Sequence, residues 1–248
     1  ARAPFDDAMC ELVEELKPEV VSFHFGLPDR SLLDRVKATG CVVIGCATLV
    51  KEAVWLEQNG ADAIIAQGAE AGGHRSMFMT GNIASQPGVM SLVPQVVDAV
   101  KVPVIAAGGI ADGRGIAAAF ALGAAGVQIG TAYLHTSDSK VSALGRAALS
   151  GATEDSTVIT NVMTGRPARG IANRAMREVG PVTLDAPAFP HAAAALGPLK
   201  TAAEKLGRSD FTNLWAGQSV AMKRPMGAAD LTRMLAAEGL ERLHSLGK

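Results

Sequence analysis

The chain has 248 residues, 48% hydrophobic and 19% charged, enough apolar material for one large α/β barrel or two small domains. A formal net charge of −1, with scattered basic residues, argues against a nucleic-acid partner or an anionic membrane surface. Cys10, Cys41 and Cys46, an odd count without a CxxC pair, offer neither a disulfide framework nor a zinc site. The expectations are therefore no metal, no membrane span and a reducing cytoplasm.

Up to about residue 150, short apolar β-branched runs alternate with stretches of helical periodicity. Helices are predicted at 6–17, 31–39 and 50–59, with Met9, Leu12, Val13 and Leu16 on one face of the first. Strands are predicted at 20–25, 41–47, 61–67, 102–107 and 126–131. They are near-continuous apolar runs, the pattern of parallel strands covered on both faces. Gly40, Gly60 and Gly123 follow their helices where left-handed caps are wanted. Repeated βα units predict a parallel sheet with right-handed crossovers, and the Gly-containing turns after the late strands favour a barrel. Only five of the eight strands of such a barrel are found. Residues 69–90 form a long loop. From 153 to about 225 the alternation is lost, which predicts an irregular extension with short helices before a final helix at 228–245.

Two turns point to an anion. Pro103-Val-Ile-Ala-Ala-Gly-Gly-Ile-Ala-Asp112 and Gly126-Val-Gln-Ile-Gly-Thr131 each carry an apolar strand into glycine just before a helix. Backbone amides at Gly108–Gly109 and Gly130–Thr131 could converge on one phosphate at helix N-termini. Glycines that merely permit tight turns are the alternative. A third segment, Gly60 to Arg75, delivers Gln67 to a strand end and then presents His74 and Arg75 from a Gly-rich loop. Gln67 suits recognition of a heterocycle edge, and Gly72 and Gly73 let backbone approach a flat ligand. Among five histidines only His74 lies among such glycines, as a candidate general base or hydrogen-bond donor. Arg75 could meet an anionic substrate or be a solvated loop arginine. His24 could face the barrel mouth or pack in the core. Cys46 fits a small buried hydrophobe better than a nucleophile. The segment Leu214-Trp-Ala-Gly-Gln-Ser219 could fold over the site, or supply a core tryptophan.

The strings Gly68-Ala-Glu-Ala-Gly-Gly-His-Arg75, Pro103–Asp112, Gly126–Tyr133, Thr164-Gly-Arg-Pro-Ala-Arg-Gly170 and Leu214-Trp-Ala-Gly-Gln218 resemble the nitronate monooxygenases, formerly called 2-nitropropane dioxygenases. The resemblance implies a (β/α)8 TIM-type barrel with bound FMN. It implies that Gln67 and Gly72 contact the flavin, that Gly109, Gln128, Ile129, Gly130 and Thr131 hold its phosphate end, and that His74 is the active-site histidine. The implied reaction oxidises alkyl nitronates, or nitroalkanes, with dioxygen to carbonyl compounds and nitrite. By this comparison residues 1–152 carry strands four to eight of the barrel. Residues 153–248 supply a helical insertion or lid and a C-terminal helix completing the same domain. About three N-terminal βα units are missing, so a separate N-terminal chain completing the barrel is one expectation, and a homodimer another. Ser76 stands where the family usually has Gly. Competing readings are a flavin-dependent enoyl-acyl carrier protein reductase, which shares the barrel and phosphate loops, and a non-catalytic flavin-binding fragment.

Overall fold

The computed structural model describes residues 4–246. Its first elements are α1 (Asp7–Leu16), β1 (Val20–Phe23), α2 (Arg30–Ala38), β2 (Val42–Ala47), α3 (Val50–Gln58) and β3 (Ala63–Gln67). Then follow β4 (Gly73–His74), α4 (Val89–Ala99), β5 (Val104–Ala107), α5 (Gly113–Ala121), β6 (Gly126–Gln128) and α6 (Thr131–Leu134). The remainder holds α7 (Ala143–Gly151), β7 (Thr157–Thr160), β8 (Ala168–Ile171), α8 (Arg174–Val179), α9 (His191–Lys205) and α10 (Ala228–Leu246). Two compact units result. One takes in the chain up to Ala69 with Ser76–Ala107 and Ala119–Gln128, the other Glu70–Arg75, Gly108–Ala118 and the chain from Ile129 on.

The first unit is an α/β layer. Strands β1, β2, β3, β5 and β6 lie side by side in that order, all parallel. All five predicted strands are present with shorter ends, the last yielding Ile129–Thr131 to a turn and to α6. Every residue of β3 is buried, which accounts for its uniformly apolar Ala-Ile-Ile-Ala before Gln67. Cys10, Leu33, Val36, Cys41 and Val43 form one core cluster beside β2, with Val13 packed against it, whereas Met9, Leu12 and Leu16 on the same predicted face of α1 are exposed. Each large aliphatic there contributes about 1.5–3 kcal/mol. Cys46, Ile65 and Ala107 form a separate cluster from β2, β3 and β5, and Cys46 is the small buried hydrophobe expected of it. Asp6 caps α1 by accepting from Met9 N at 3.0 Å. The caps at Gly40, Gly60 and Gly123 are left-handed, with φ of 85°, 105° and 92°.

The second unit corrects the expected irregular stretch. Strands β4, β8 and β7 form a three-stranded sheet in that order, with both pairings antiparallel. α9 has 15 residues, longer than the short helices expected. Both new strands have only four residues, and β8 carries Arg169 and Gly170 in its middle, so no apolar alternation announces them. Among the described residues no helix is long and apolar enough to cross a membrane.

Candidate active site

β4 turns the long loop after β3 into part of a sheet. Gly73 pairs with Arg169 and His74 with Ala168, and Arg75 N donates to Pro167 O at 2.8 Å. A residue in a sheet cannot swing as one in a free loop does, so this pairing aims the half-buried His74 ring. Its Nε2 lies 2.9 Å from Thr164 Oγ1. Trp215 packs against it with ring centroids 5.5 Å apart, and Phe189 meets it edge-on at 5.7 Å.

Trp215 belongs to a strap, 214–221, that ties three loops together. Gly217 N donates to Thr131 Oγ1 at 2.8 Å and Gln218 N to Glu70 O at 2.9 Å. Ser219 Oγ donates to Gly109 O at 2.5 Å. The loops that follow β3, β5 and β6 are thus held by three successive residues. Both readings of the Leu214–Ser219 segment hold: it binds these loops, and Trp215 packs against the core cluster of Val162, Met163, Ala175 and Met176. Glycine is obligatory at the crossing. A Cβ on Gly72 would lie 2.5 Å from the backbone of Ala216 and Gly217, and one on Gly217 would lie 2.7 Å from Glu70 O. The close approach expected between Gly72 and a flat ligand is made by the strap backbone.

The two glycine turns lie within reach of this strap. Gly108 and Gly109 have φ of 115° and 70°, conformations that glycine alone adopts without strain. Gly109 and Gly130 are exposed, and a Cβ on Gly130 would meet nothing within 4 Å. Among the described residues no backbone acceptor takes the amides of Gly109 or Gly130. Those of Thr131 and Ala132 open α6, where intrahelical acceptors are lacking by geometry. Asp112 closes the first turn by accepting from Arg114 N at 2.9 Å and Gly115 N at 3.2 Å. Burial pushes its carboxyl up, but the Arg114 guanidinium and the two amides outweigh this and hold it below the usual carboxylate range. Arg169, beside Gly73 in the sheet, is buried and donates to Thr157 O and Oγ1 at 3.3 and 3.2 Å. Burial lowers its guanidinium from its ordinary value, against the pull of Glu70.

In the first unit, Gln67 is buried at the end of β3, and its Oε1 accepts from Ser76 N at 3.0 Å. Ser76 Oγ donates to Cys46 O at 3.0 Å, so this hydroxyl fastens the loop to the end of β2. Gln128 is exposed at the end of β6, opposite Ala107, and Ile129 after it is half-buried. Arg75 is fully buried, which overturns the solvated-loop reading: its guanidinium is packed away from open solvent. His24 is exposed, its ring 4.5 Å from that of Phe25, so it does not pack in a core.

Sequence reasoning gave Glu52 no part, and named Thr164 only as the start of the Thr164–Gly170 string, without a role. Glu52 is fully buried, and its carboxylate accepts from Thr48 N and Oγ1 at 2.7 and 2.8 Å and from Phe78 N and Met79 N at 2.8 and 3.1 Å. The N-cap of α3 is Leu49 and Thr48 stands four residues before Glu52, so no capping box announced the contact. The second Glu52 oxygen, aimed at residues 78–79, left no local trace. Among the described residues no group of three or more His, Cys, Asp or Glu could hold a metal ion.

A family model described as nitronate monooxygenase matches residues 3–238. A probable nitronate monooxygenase of Staphylococcus saprophyticus is 43% identical over 226 residues, 90% of this chain and 63% of that protein. One from Staphylococcus aureus is 46% identical over 201 residues, 81% of this chain and 57% of its own length. The solved nitroalkane oxidase from Streptomyces ansochromogenes matches with a TM-score of 0.90 at 41% identity, over 97% of this chain and 69% of that one. FabK from Thermotoga maritima matches with a TM-score of 0.78 at 30% identity, over 98% and 75%. The chain spans 63% and 57% of the length of these two curated relatives.

Proposed function

Because the chain belongs to the nitronate monooxygenase family, we propose that it carries the catalytic portion of an FMN-dependent oxidoreductase acting on alkyl nitronates and nitroalkanes. The products are carbonyl compounds and nitrite, with dioxygen as oxidant. In this reading β1, β2, β3, β5 and β6 are strands four to eight of a (β/α)8 barrel, and residues 153–248 are its lid and closing helix.

One observation carries the proposal: the strap 214–221 gathers Glu70, Gly109 and Thr131 by hydrogen bonds while its Trp215 flanks His74. The fit to FMN is good. A phosphate monoester needs several convergent N–H and O–H donors, and the amides of Gly109, Gly130 and Thr131 with the Thr131 hydroxyl supply that set. Gln67 and Gln128 end strands on either side of β5 within the first unit. Bound FMN would supply the redox chemistry, taking electrons from the substrate and passing them to dioxygen.

The residues of this chain bind and move a proton. His74 donates a hydrogen bond to the nitro oxygens of a nitronate. With a neutral nitroalkane it removes the α-proton, and the electron pair of the broken C–H bond becomes the C=N bond of the nitronate. Trp215 and Phe189 border the ring and limit water around it. His74→Asn is expected to lower nitroalkane turnover by about a hundredfold or more, the usual share of general-base catalysis, with the flavin absorbance of the purified protein retained. Parental turnover in that variant would refute the role of His74. A protein that stays colourless with added FMN would refute the cofactor.

A further inference from the structure

Of the bonds by which the strap 214–221 holds its loops, those of Gly217 N and Gln218 N use backbone amides, which any residue but proline offers. The bond of Ser219 depends on a side chain: its Oγ donates to Gly109 O at 2.5 Å. The target is an intrinsically loose turn. Gly108 and Gly109 follow one another at φ of 115° and 70°, and successive glycines bring wide conformational freedom that folding must remove. Peptide planarity carries the restraint one residue further. In a trans peptide the carbonyl and the following N–H point in opposite directions, and the one cis bond among the described residues is Phe189–Pro190. Anchoring Gly109 O to the strap therefore turns the Ile110 N–H away from the strap. Ile110 is buried, yet among the described residues no backbone acceptor takes its amide, nor that of Gly109. Buried N–H groups almost always find a partner. Two adjacent amides left without a backbone partner are the material of an anion-binding concavity.

We propose that Ser219 is a positioning residue for the cofactor: by fixing the Gly108–Gly109 turn, it presents the amides of Gly109 and Ile110 to the phosphate monoester of FMN. The inference rests on the FMN reading above and adds what holds the phosphate donors in place. Ile110, an apolar residue whose letter announces no polar role, joins the set through its backbone N–H alone. Ser219 itself touches no phosphate; it acts through the Gly109 carbonyl. Without that bond the two glycines are free to sample other arrangements, and binding the phosphate then carries the entropy cost of ordering them. Riboflavin is the same cofactor without the phosphate, so the contribution of Ser219 should appear with FMN and vanish with riboflavin.

The test measures flavin binding rather than turnover. The protein is freed of flavin, and FMN and riboflavin are each titrated by the quenching of flavin fluorescence. The wild type is expected to favour FMN by about a hundredfold or more, since hydrogen bonds to a charged phosphate are among the stronger kind. Ser219→Ala should weaken FMN about tenfold, the share of one ordinary hydrogen bond, and leave riboflavin within about twofold of its wild-type affinity. Ser219→Thr, which keeps the hydroxyl, should restore the preference. Equal losses for FMN and riboflavin would show that the bond only supports the fold, and would overturn the proposal; so would an unchanged FMN affinity. Should Ser219→Ala fail to fold, 15N-isoleucine-labelled wild type supplies the answer, its Ile110 resonance identified by loss in Ile110→Val. That amide proton should move downfield with FMN and not with riboflavin, and an identical response to both overturns the proposal. Failure of the FMN reading itself has another signature, a wild type that binds neither flavin, whereas failure of the Ser219 role alone leaves the wild-type preference for FMN intact.

Discussion

Replacing Glu52 by Ala removes the acceptor for four hydrogen bonds inside the first unit. Thr48 is fully buried, so water cannot take over its amide, and each such orphaned donor costs about 1–3 kcal/mol. Phe78 is half-buried and Met79 exposed, so water partly replaces the acceptor for their amides, at about 0.5 kcal/mol each after that discount. The vacated methylene and carboxyl leave a small void beside Thr48. Together these give about 3–5 kcal/mol, a large share of the 5–15 kcal/mol that holds a typical domain folded. Glu52→Gln should cost about 2 kcal/mol, because its amide keeps one acceptor oxygen but turns an NH2 group toward two N–H donors. Urea unfolding of the wild type and both variants measures the losses, and native-state hydrogen exchange reads the Phe78 and Met79 amides directly. The order wild type, Gln, Ala is expected in both. Midpoints within about 0.5 kcal/mol of the wild type, the scatter of ordinary surface changes, with unchanged protection at Phe78, would refute the argument.

Two further outcomes follow from the site. Gly72→Ala forces a Cβ to 2.5 Å from the backbone of Ala216 and Gly217, where no side chain can step aside. The expected cost is about 1–3 kcal/mol of overpacking, with a lower thermal midpoint and weaker protection of the Gly217 and Gln218 amides. Intact protection would show that the strap does not depend on that crossing. His135 supplies a pH dependence. Burial, opposed by the hydrogen bond to Val220 O and aided by the Lys223 ammonium, holds its ring below the ordinary 6.5. The folded state thus binds this proton less readily than the unfolded chain. The associated stability is in full above about 6.5, the unfolded value, and is lost as pH falls below it toward the folded pKa. Urea midpoints measured at pH 7.5 and 5.5 should fall further on acidification for the wild type than for His135→Gln; equal falls would exclude the effect.

The five parallel strands, the glycine caps and the two glycine turns were legible because each depends on residues a few positions apart. An Ala-Ile-Ile-Ala run can be buried on both faces whatever its partner, and Gly108–Gly109 permit their positive φ wherever they sit. The hairpin of β7 and β8 was not legible, since four-residue strands around a buried Arg169 acquire their stability only from pairing. The fates of Arg75 and Gln67 were equally hidden. A buried and a solvated arginine are the same letter, and the partner of Gln67 Oε1 is an amide nine positions on.

The letters alone determined the βα rhythm and the two glycine turns and singled out His74, all readings of local periodicity and backbone freedom. Tertiary structure alone decided what surrounds that histidine, Thr164 at 90 residues' remove and Trp215 on a strap, and, in the first unit, that Glu52 reaches Phe78. The physical reason is that a hydrogen-bond partner is selected by distance in space, while sequence records distance along the chain. Where a fold brings residues together across such separations, only the folded backbone sets which donor meets which acceptor.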